Sequence, residues 1–396
     1  MKKIFFVLIA VLLIIAGSCE REREPSLPQD DSSLVSFSDG DIIPGQYVVL
    51  LKEGVTSVKS AKLSYADAQI AMLGEIPKIL QVSGIVARKP IHVYTSSQEG
   101  FALNLTADEA SALEKNPGVL GVWPDRMVVL AKPVKPPVTQ PAQVTPPGIG
   151  IVGGGAPYTG GKKGWIIDTG IDLNHPDLNV NTTLAKTFVP RTTSAEDDNG
   201  HGTHCAGIVA AINNTIGVVG VAAGAQVVPV KVLDKRGSGA YSTIIAGIDY
   251  VAANATAGDA VNMSLGGGAY DPIDLAVIAM ANEGLFVALA AGNESDDANN
   301  HSPARANGPN IYTISACDNN RVWAYFSNYG NPPVDFCAPG VNVLSTYKGD
   351  SYATMSGTSM AAPHACGVLL VTGGNPKSNE YVLNDPDGEP DPIIHN

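Results

Sequence analysis

Between Gly164 and Val371 the sequence alternates short runs, predominantly apolar on both faces, with stretches of helical character. Trp165-Ile166-Ile167, Val227 to Val232, Val261 to Leu265, Leu285 to Ala290 and Ile311 to Ser315 are the runs. They are too short for helices and leave no side for water. Successive strand side chains point to opposite faces, so a run of this kind belongs to a strand covered on both sides. The pattern predicts an α/β fold, a parallel β-sheet flanked by helices. Several runs end in Asp, Ser, Gly or Asn, and open parallel sheets gather their sites at the carboxyl ends of strands.

Ahead of this core, residues 42–130 read as a small α+β unit. Tyr47 to Leu51 and Phe101 to Leu105 have strand patterning. Thr106 and Glu109 form a capping box that starts a helix running to about Lys115; Asn116-Pro117-Gly118 stops it, and Val119 to Trp123 returns as a strand. Residues 131–141 open a Pro/Gly-rich stretch and read as a linker accessible to proteolysis. Residues 142–371 form the main domain, and 372–396 read as an acidic, solvated C-terminal tail. The alternating acids from Asp385 to Asp391 lack the Gly and terminal Glu placement of an EF-hand.

Met1-Lys2-Lys3 precedes an apolar run from Ile4 to Ala16, the form of a signal peptide over residues 1–18. Ile-Ala-Gly-Ser-Cys resembles a bacterial lipobox, with Ala16 where that motif usually has Leu. Cleavage after Ser18 fits two outcomes: an envelope lipoprotein anchored to the membrane only through lipid on Cys19, or a freely secreted product. Residues 19–41 then form a polar tether. Export permits disulfides, and Cys205, Cys317, Cys337 and Cys366 allow three pairings or none. Lys plus Arg total 25 against 38 Asp plus Glu, a net charge of −13. Nucleic acid is excluded as the main partner, because phosphate binding needs a basic face.

Three segments carry chemistry. Ile167-Asp168-Thr169-Gly170 puts an acid at a strand end; Asn199-Gly200-His201-Gly202-Thr203-His204 puts His201 at a helix start; Ser356-Gly357-Thr358-Ser359-Met360 puts Ser359 at another, behind a Gly turn. An Asp after a strand is usually a turn residue and a Ser before a helix usually a cap. Nucleophilic acyl transfer, however, needs a hydroxyl, an imidazole to take its proton and a carboxylate to orient the imidazole. All three stand at strand and helix ends in the order Asp, His, Ser. Asp172, His204 and His364 read as structural, and Cys205 as a buried thiol.

In these motifs the chain resembles the subtilisin-like serine proteases, near the subtilisin and proteinase K branches. The resemblance implies Asp168, His201 and Ser359 as catalytic residues, and Asn293, in Ala290-Ala291-Gly292-Asn293-Glu294, as oxyanion donor. It implies two walls that receive polypeptide substrates as an extended strand: Gly237, Ser238 and Gly239 with Tyr241 as a lid, and Ser264, Leu265, Gly266 and Gly267. It also implies a structural Ca²⁺ held by Gln143, Asp177 and Asn214 side chains and the carbonyls of Ile212, Ile216 and Val218, an all-oxygen set. No catalytic cofactor is implied. Residues 42–130 resemble the family's inhibitory pro-segment, so the chain's own pro-segment is an expected partner. If Gln143 is a ligand, cleavage should free the mature N-terminus shortly before it, at Pro141–Ala142 or a few residues upstream.

The expectation is therefore an exported, monomeric serine endopeptidase made as a self-processing zymogen. A catalytically silent surface binding protein and a narrow-specificity maturation protease are the alternatives. Intact catalytic residues weigh against the first.

Overall fold

The computed structural model describes residues 37–130 and 142–396. The expected signal peptide, Cys19 and the linker 131–141 lie outside the described residues.

Residues 42–129 fold as strands β1 (Ile42–Leu51), β2 (His92–Tyr94), β3 (Gly100–Asn104) and β4 (Val119–Val129), with helices α1 (Tyr65–Val82) and α2 (Ala107–Glu114). The sheet is antiparallel in the order β2-β3-β1-β4. The Thr106/Glu109 capping box forms as expected. α1, which the sequence reading did not identify, starts at Ser64, whose side chain accepts from the Asp67 N–H. Alternation along β1 explains its apolar run: Val49 and Leu51 face α1 and α2 together with Phe101 and Leu103, whereas Val48 and Leu50 share a second core with the main domain. Both faces of this small sheet are buried.

The main domain is built on β5 (Gly164–Asp168), β6 (Gln226–Lys231), β7 (Ser238–Ala240), β8 (Ala260–Met263), β9 (Phe286–Ala290), β10 (Ile311–Cys317) and β11 (Val334–Pro339). Its helices are α3 (His201–Ala210), α4 (Tyr241–Asn254), α5 (Asp271–Asn282) and α6 (Thr358–Thr372). Strands run β11-β10-β9-β8-β5-β6 in parallel. One face packs on α3 and α6, with Ile166, Ala288 and Ile314 in that core. The other packs on α4 and α5, with Trp165, Ile167, Val261 and Val287. Every apolar run singled out in the sequence is one of these strands or runs into one.

The C-terminal residues correct the expected solvated tail. β12 (Lys377–Tyr381) and β13 (Pro392–His395) form a hairpin that extends the main sheet, with Ile393 paired to Cys337 of β11. Val382, Ile393 and Ile394 are buried, and the buried Asp391 carboxylate accepts from the Ser315 hydroxyl at 2.5 Å. Cys205, Cys317, Cys337 and Cys366 are buried free thiols. No helix among the described residues is long and apolar enough to cross a membrane.

Candidate active site

β5 delivers Asp168 at its last residue, and α3 begins at His201. The helix start can lie on the turn after β5 because residue 202 is Gly: a Cβ there would sit 2.1 Å from the Gly170 carbonyl oxygen. Gly200 takes φ +115°, and a side chain would strike the Tyr347 ring. Asp197 draws the loop into the helix by accepting the N–H groups of Asn199, Gly200 and Thr203, and the hydroxyls of Thr169 and Thr203. Its carboxylate adjoins the His201 motif, but sequence reasoning gave it no role.

His201 Nδ1 lies 2.8 and 2.9 Å from the two Asp168 carboxylate oxygens, and both side chains are buried. Burial alone pushes the imidazole pKa down; the Asp168 carboxylate outweighs it and holds the ring well above its ordinary value. The bond at Nδ1 leaves Nε2 as the free ring nitrogen. Ser359, the second residue of α6, lines the same cavity of about 300 Å³ as His201. Its hydroxyl donates to the Ser264 carbonyl oxygen at 3.2 Å, and Ser264 Oγ donates back to the Ser359 carbonyl at 2.8 Å. The Cys205 thiol donates to that carbonyl as well, at 3.5 Å; burial raises its pKa and keeps it protonated.

Asn293 lines the cavity beside Ser359. Its Oδ1 accepts from the Thr358 N–H at 2.8 Å and the Thr358 hydroxyl at 3.1 Å. With the oxygen so engaged, the amide N–H₂ is left for the cavity. Thr358 lies inside the Ser motif, but the sequence gives no sign that it orients Asn293.

One of the two segments expected to receive substrate, Gly237 to Gly239, is paired with the chain itself. β4 pairs antiparallel with β7, matching Met127 to Ala240, Val128 to Gly239 and Val129 to Ser238. The Leu130 N–H then donates to the Gly237 carbonyl at 2.9 Å. On its other edge β4 exchanges backbone bonds with Gly40 and Asp41, and the Val129 N–H donates to Asp39. Asp39 thus enters the cavity beside Gly267, an insertion without a sequence signal. Leu265, Gly266 and Gly267 line the same cavity. Tyr241 is buried under this arrangement, stacked on Tyr270 at 4.6 Å and sharing a core with Val128.

Two buried acids join the units. Asp249 of α4 accepts the N–H groups of Thr95, Ser96 and Ser97, and Asp125 of β4 accepts the Ser242 N–H at the start of α4.

The residues expected at the calcium site converge too. Gln143 Oε1 accepts from the Asn214 N–H, while Asn214 Nδ2 and the Val218 N–H donate to Asp177. Ala142 bridges Ile216, and Val144 bridges Val218. Ala142, Gln143 and Val144 thus lie along the 214–218 loop. Gln143 Oε1, Asn214 Oδ1 and the buried Asp177 carboxylate are hard oxygens that here accept N–H groups, and that donor chemistry fits a hard cation.

The sequence profile of the Subtilase family matches residues 165–383, and that of Peptidase inhibitor I9 matches residues 46–131. Proteinase R of Parengyodontium album is 35% identical over 362 residues, covering 86% of this chain and 83% of its own. The extracellular serine proteinase of Thermus sp. (strain Rt41A) is 33% identical, with coverages of 91% and 87%. A solved cold adapted subtilisin-like serine proteinase superposes with a TM-score of 0.55 at 35% identity, over 61% of this chain and 90% of that one. A strand end, two helix starts and a self-occupied cleft thus agree with the sequence likeness: the chain is a serine protease of the subtilase family, carrying an I9-type pro-segment.

Proposed function

We propose that the protein is an exported serine endopeptidase made as a zymogen, with Asp168, His201 and Ser359 as its catalytic triad. Asp168 fixes His201 with Nδ1 protonated. Nε2 takes the proton of Ser359 as Oγ attacks the peptide carbonyl, then passes it to the leaving nitrogen. The Asn293 amide and the N–H groups at the start of α6 stabilise the oxyanion. The substrate lies as a strand between Gly237–Gly239 and Ser264–Gly267. The observation that carries this reading is the doubly short contact of buried Asp168 with His201 Nδ1, on the cavity that Ser359 and Asn293 line.

In the precursor the pro-segment holds the place of substrate through β4, which supports inhibition by β-addition. Calcium would be held by Gln143, Asp177, Asn214 and the carbonyls of Ile212, Ile216 and Val218. Bound there, it would stabilise the loop without entering the chemistry. The extracellular relative supports export, and the lipobox-like sequence supports a lipid on Cys19.

Ser359→Ala is the test. It should abolish peptide hydrolysis and leave the full-length precursor; normal processing of purified Ser359→Ala protein would refute the reading.

A further inference from the structure

We infer that Lys231 is a positioning residue of the triad: its ammonium clamps the residue after Asp168 to the loop before His201. This rests on the peptidase reading above and extends it to a residue that touches neither substrate nor the reacting atoms. Lys231 is the charged residue in the apolar run Val227 to Val232, and it ends β6. Parallel pairing of β5 with β6 sets it in register with Asp168. Its side chain is 1% exposed. A buried ammonium is costly unless it is paired and hydrogen-bonded, so what it bonds to defines its use.

Lys231 Nζ donates to the Thr169 carbonyl at 2.5 Å and to the Asp198 carboxylate at 2.6 Å. Thr169 in turn supports both the acid and the imidazole. Its N–H donates to Asp168 Oδ1 at 2.6 Å, and its Oγ1 accepts at 2.9 Å from the N–H of Gly202, the residue after His201. Asp198 stands just before the Asn199-Gly200-His201 turn. The backbone adds to the hold: the Val232 and Leu233 N–H groups, directly past Lys231, donate to the Asp168 carbonyl. One ammonium thus joins the strand end that presents the carboxylate to the loop that presents the imidazole. Between them lies the 2.8 Å contact on which proton transfer depends.

A lysine that only held the fold together would behave otherwise. Buried ion pairs can often be replaced by apolar side chains of similar volume without loss of stability. Lys231→Met keeps an unbranched side chain of similar length and removes the charge and its N–H donors. A space-filling role survives that change with the chemistry intact. A positioning role does not: Asp168 and His201 lose their common anchor, and small misplacements are felt by the reaction far more than by substrate binding.

Full-length Lys231→Met should process itself about 10- to 100-fold more slowly than the parent. The processed enzyme should lose kcat on a peptide substrate by a similar factor while KM stays within about twofold. In the uncut Ser359→Ala precursor, the downfield proton resonance of His201 Nδ1–H, identified by its absence when His201→Ala is added, should shift or broaden when Lys231→Met is added. Asp198→Asn, at a side chain 46% exposed, loosens the same clamp without disturbing the core. It should lower kcat about 3- to 10-fold, and it decides the matter if Lys231→Met does not fold. A folded Lys231→Met enzyme with kcat within about twofold of the parent, or with a change in KM alone, overturns the inference and leaves the peptidase reading standing. So does an unmoved His201 resonance, or parental kcat in Asp198→Asn where Lys231→Met fails to fold. Processing that persists in Ser359→Ala overturns the peptidase reading instead.

Discussion

Asp168 offsets the burial of His201 and fixes which ring nitrogen carries the proton. Activity requires the neutral imidazole, so kcat/KM should fall as pH drops through a His201 pKa above the ordinary 6.5 or so. Asp168→Asn should move that limb to lower pH and reduce kcat by on the order of 10⁴-fold, measured on a peptide substrate across pH. Asn293→Ala should lower kcat by about 10²–10³-fold with little change in KM, a range that subtilisin itself sets for one oxyanion donor. Asp168, His201 and Ser359 stood out in the sequence because each sits in a local motif at a strand end or helix start, whereas Asn293 came only from the family resemblance. Asp197, Thr358 and Asp39 did not stand out. Their roles consist of bonds to groups whose position only the folded chain defines.

At the scale of elements, the pro-segment grips the main domain by strand pairing and by the carboxylate of Asp249. Asp249→Ala would leave the N–H groups of Thr95, Ser96 and Ser97 buried without their acceptor. Isolated residues 42–130 should then inhibit the variant enzyme about 10- to 100-fold more weakly than the parent, in a progress-curve assay. The C-terminal hairpin makes a prediction of opposite character. Burial holds Asp391 up to about 7, with the carboxylates of Asp385, Asp387 and Asp335 adding to it. A carboxyl raised in this way binds more protons folded than unfolded, so its stabilisation is complete below about pH 4 and is lost as pH rises toward 7. Asp391→Asn should therefore raise stability at pH 8 by about 1–3 kcal/mol and change it little at pH 4, read from denaturant melts. The hairpin escaped the sequence reading for a physical reason. β13 is only four residues long, and its partner β11 lies far away along the chain, so no local period announces it.

Over the whole molecule, two buried faces of the small sheet and two of the large one explain why the sequence divided so cleanly into apolar runs. The α/β class followed from those runs alone. The joint core between the units did not, because Val48 and Leu50 look like any other strand residues until the partner helix is present. The loop at Gln143, Asp177 and Asn214 ties the start of the main domain to the end of α3. Calcium there should stabilise the fold by about 2.7 kcal/mol at a hundredfold excess over Kd. Chelation should accordingly lower the midpoint of thermal inactivation, and Asp177→Ala should remove most of that dependence while sparing the initial rate at low temperature.

The catalytic expectations presuppose that Ser359 is the nucleophile. Treatment of the processed protein with a fluorophosphonate, followed by peptide mapping, tests this most directly. One equivalent of label on Ser359, rising in step with loss of peptide hydrolysis, is the predicted result. Full hydrolysis with Ser359 labelled, or inactivation with the label on another residue, would contradict it.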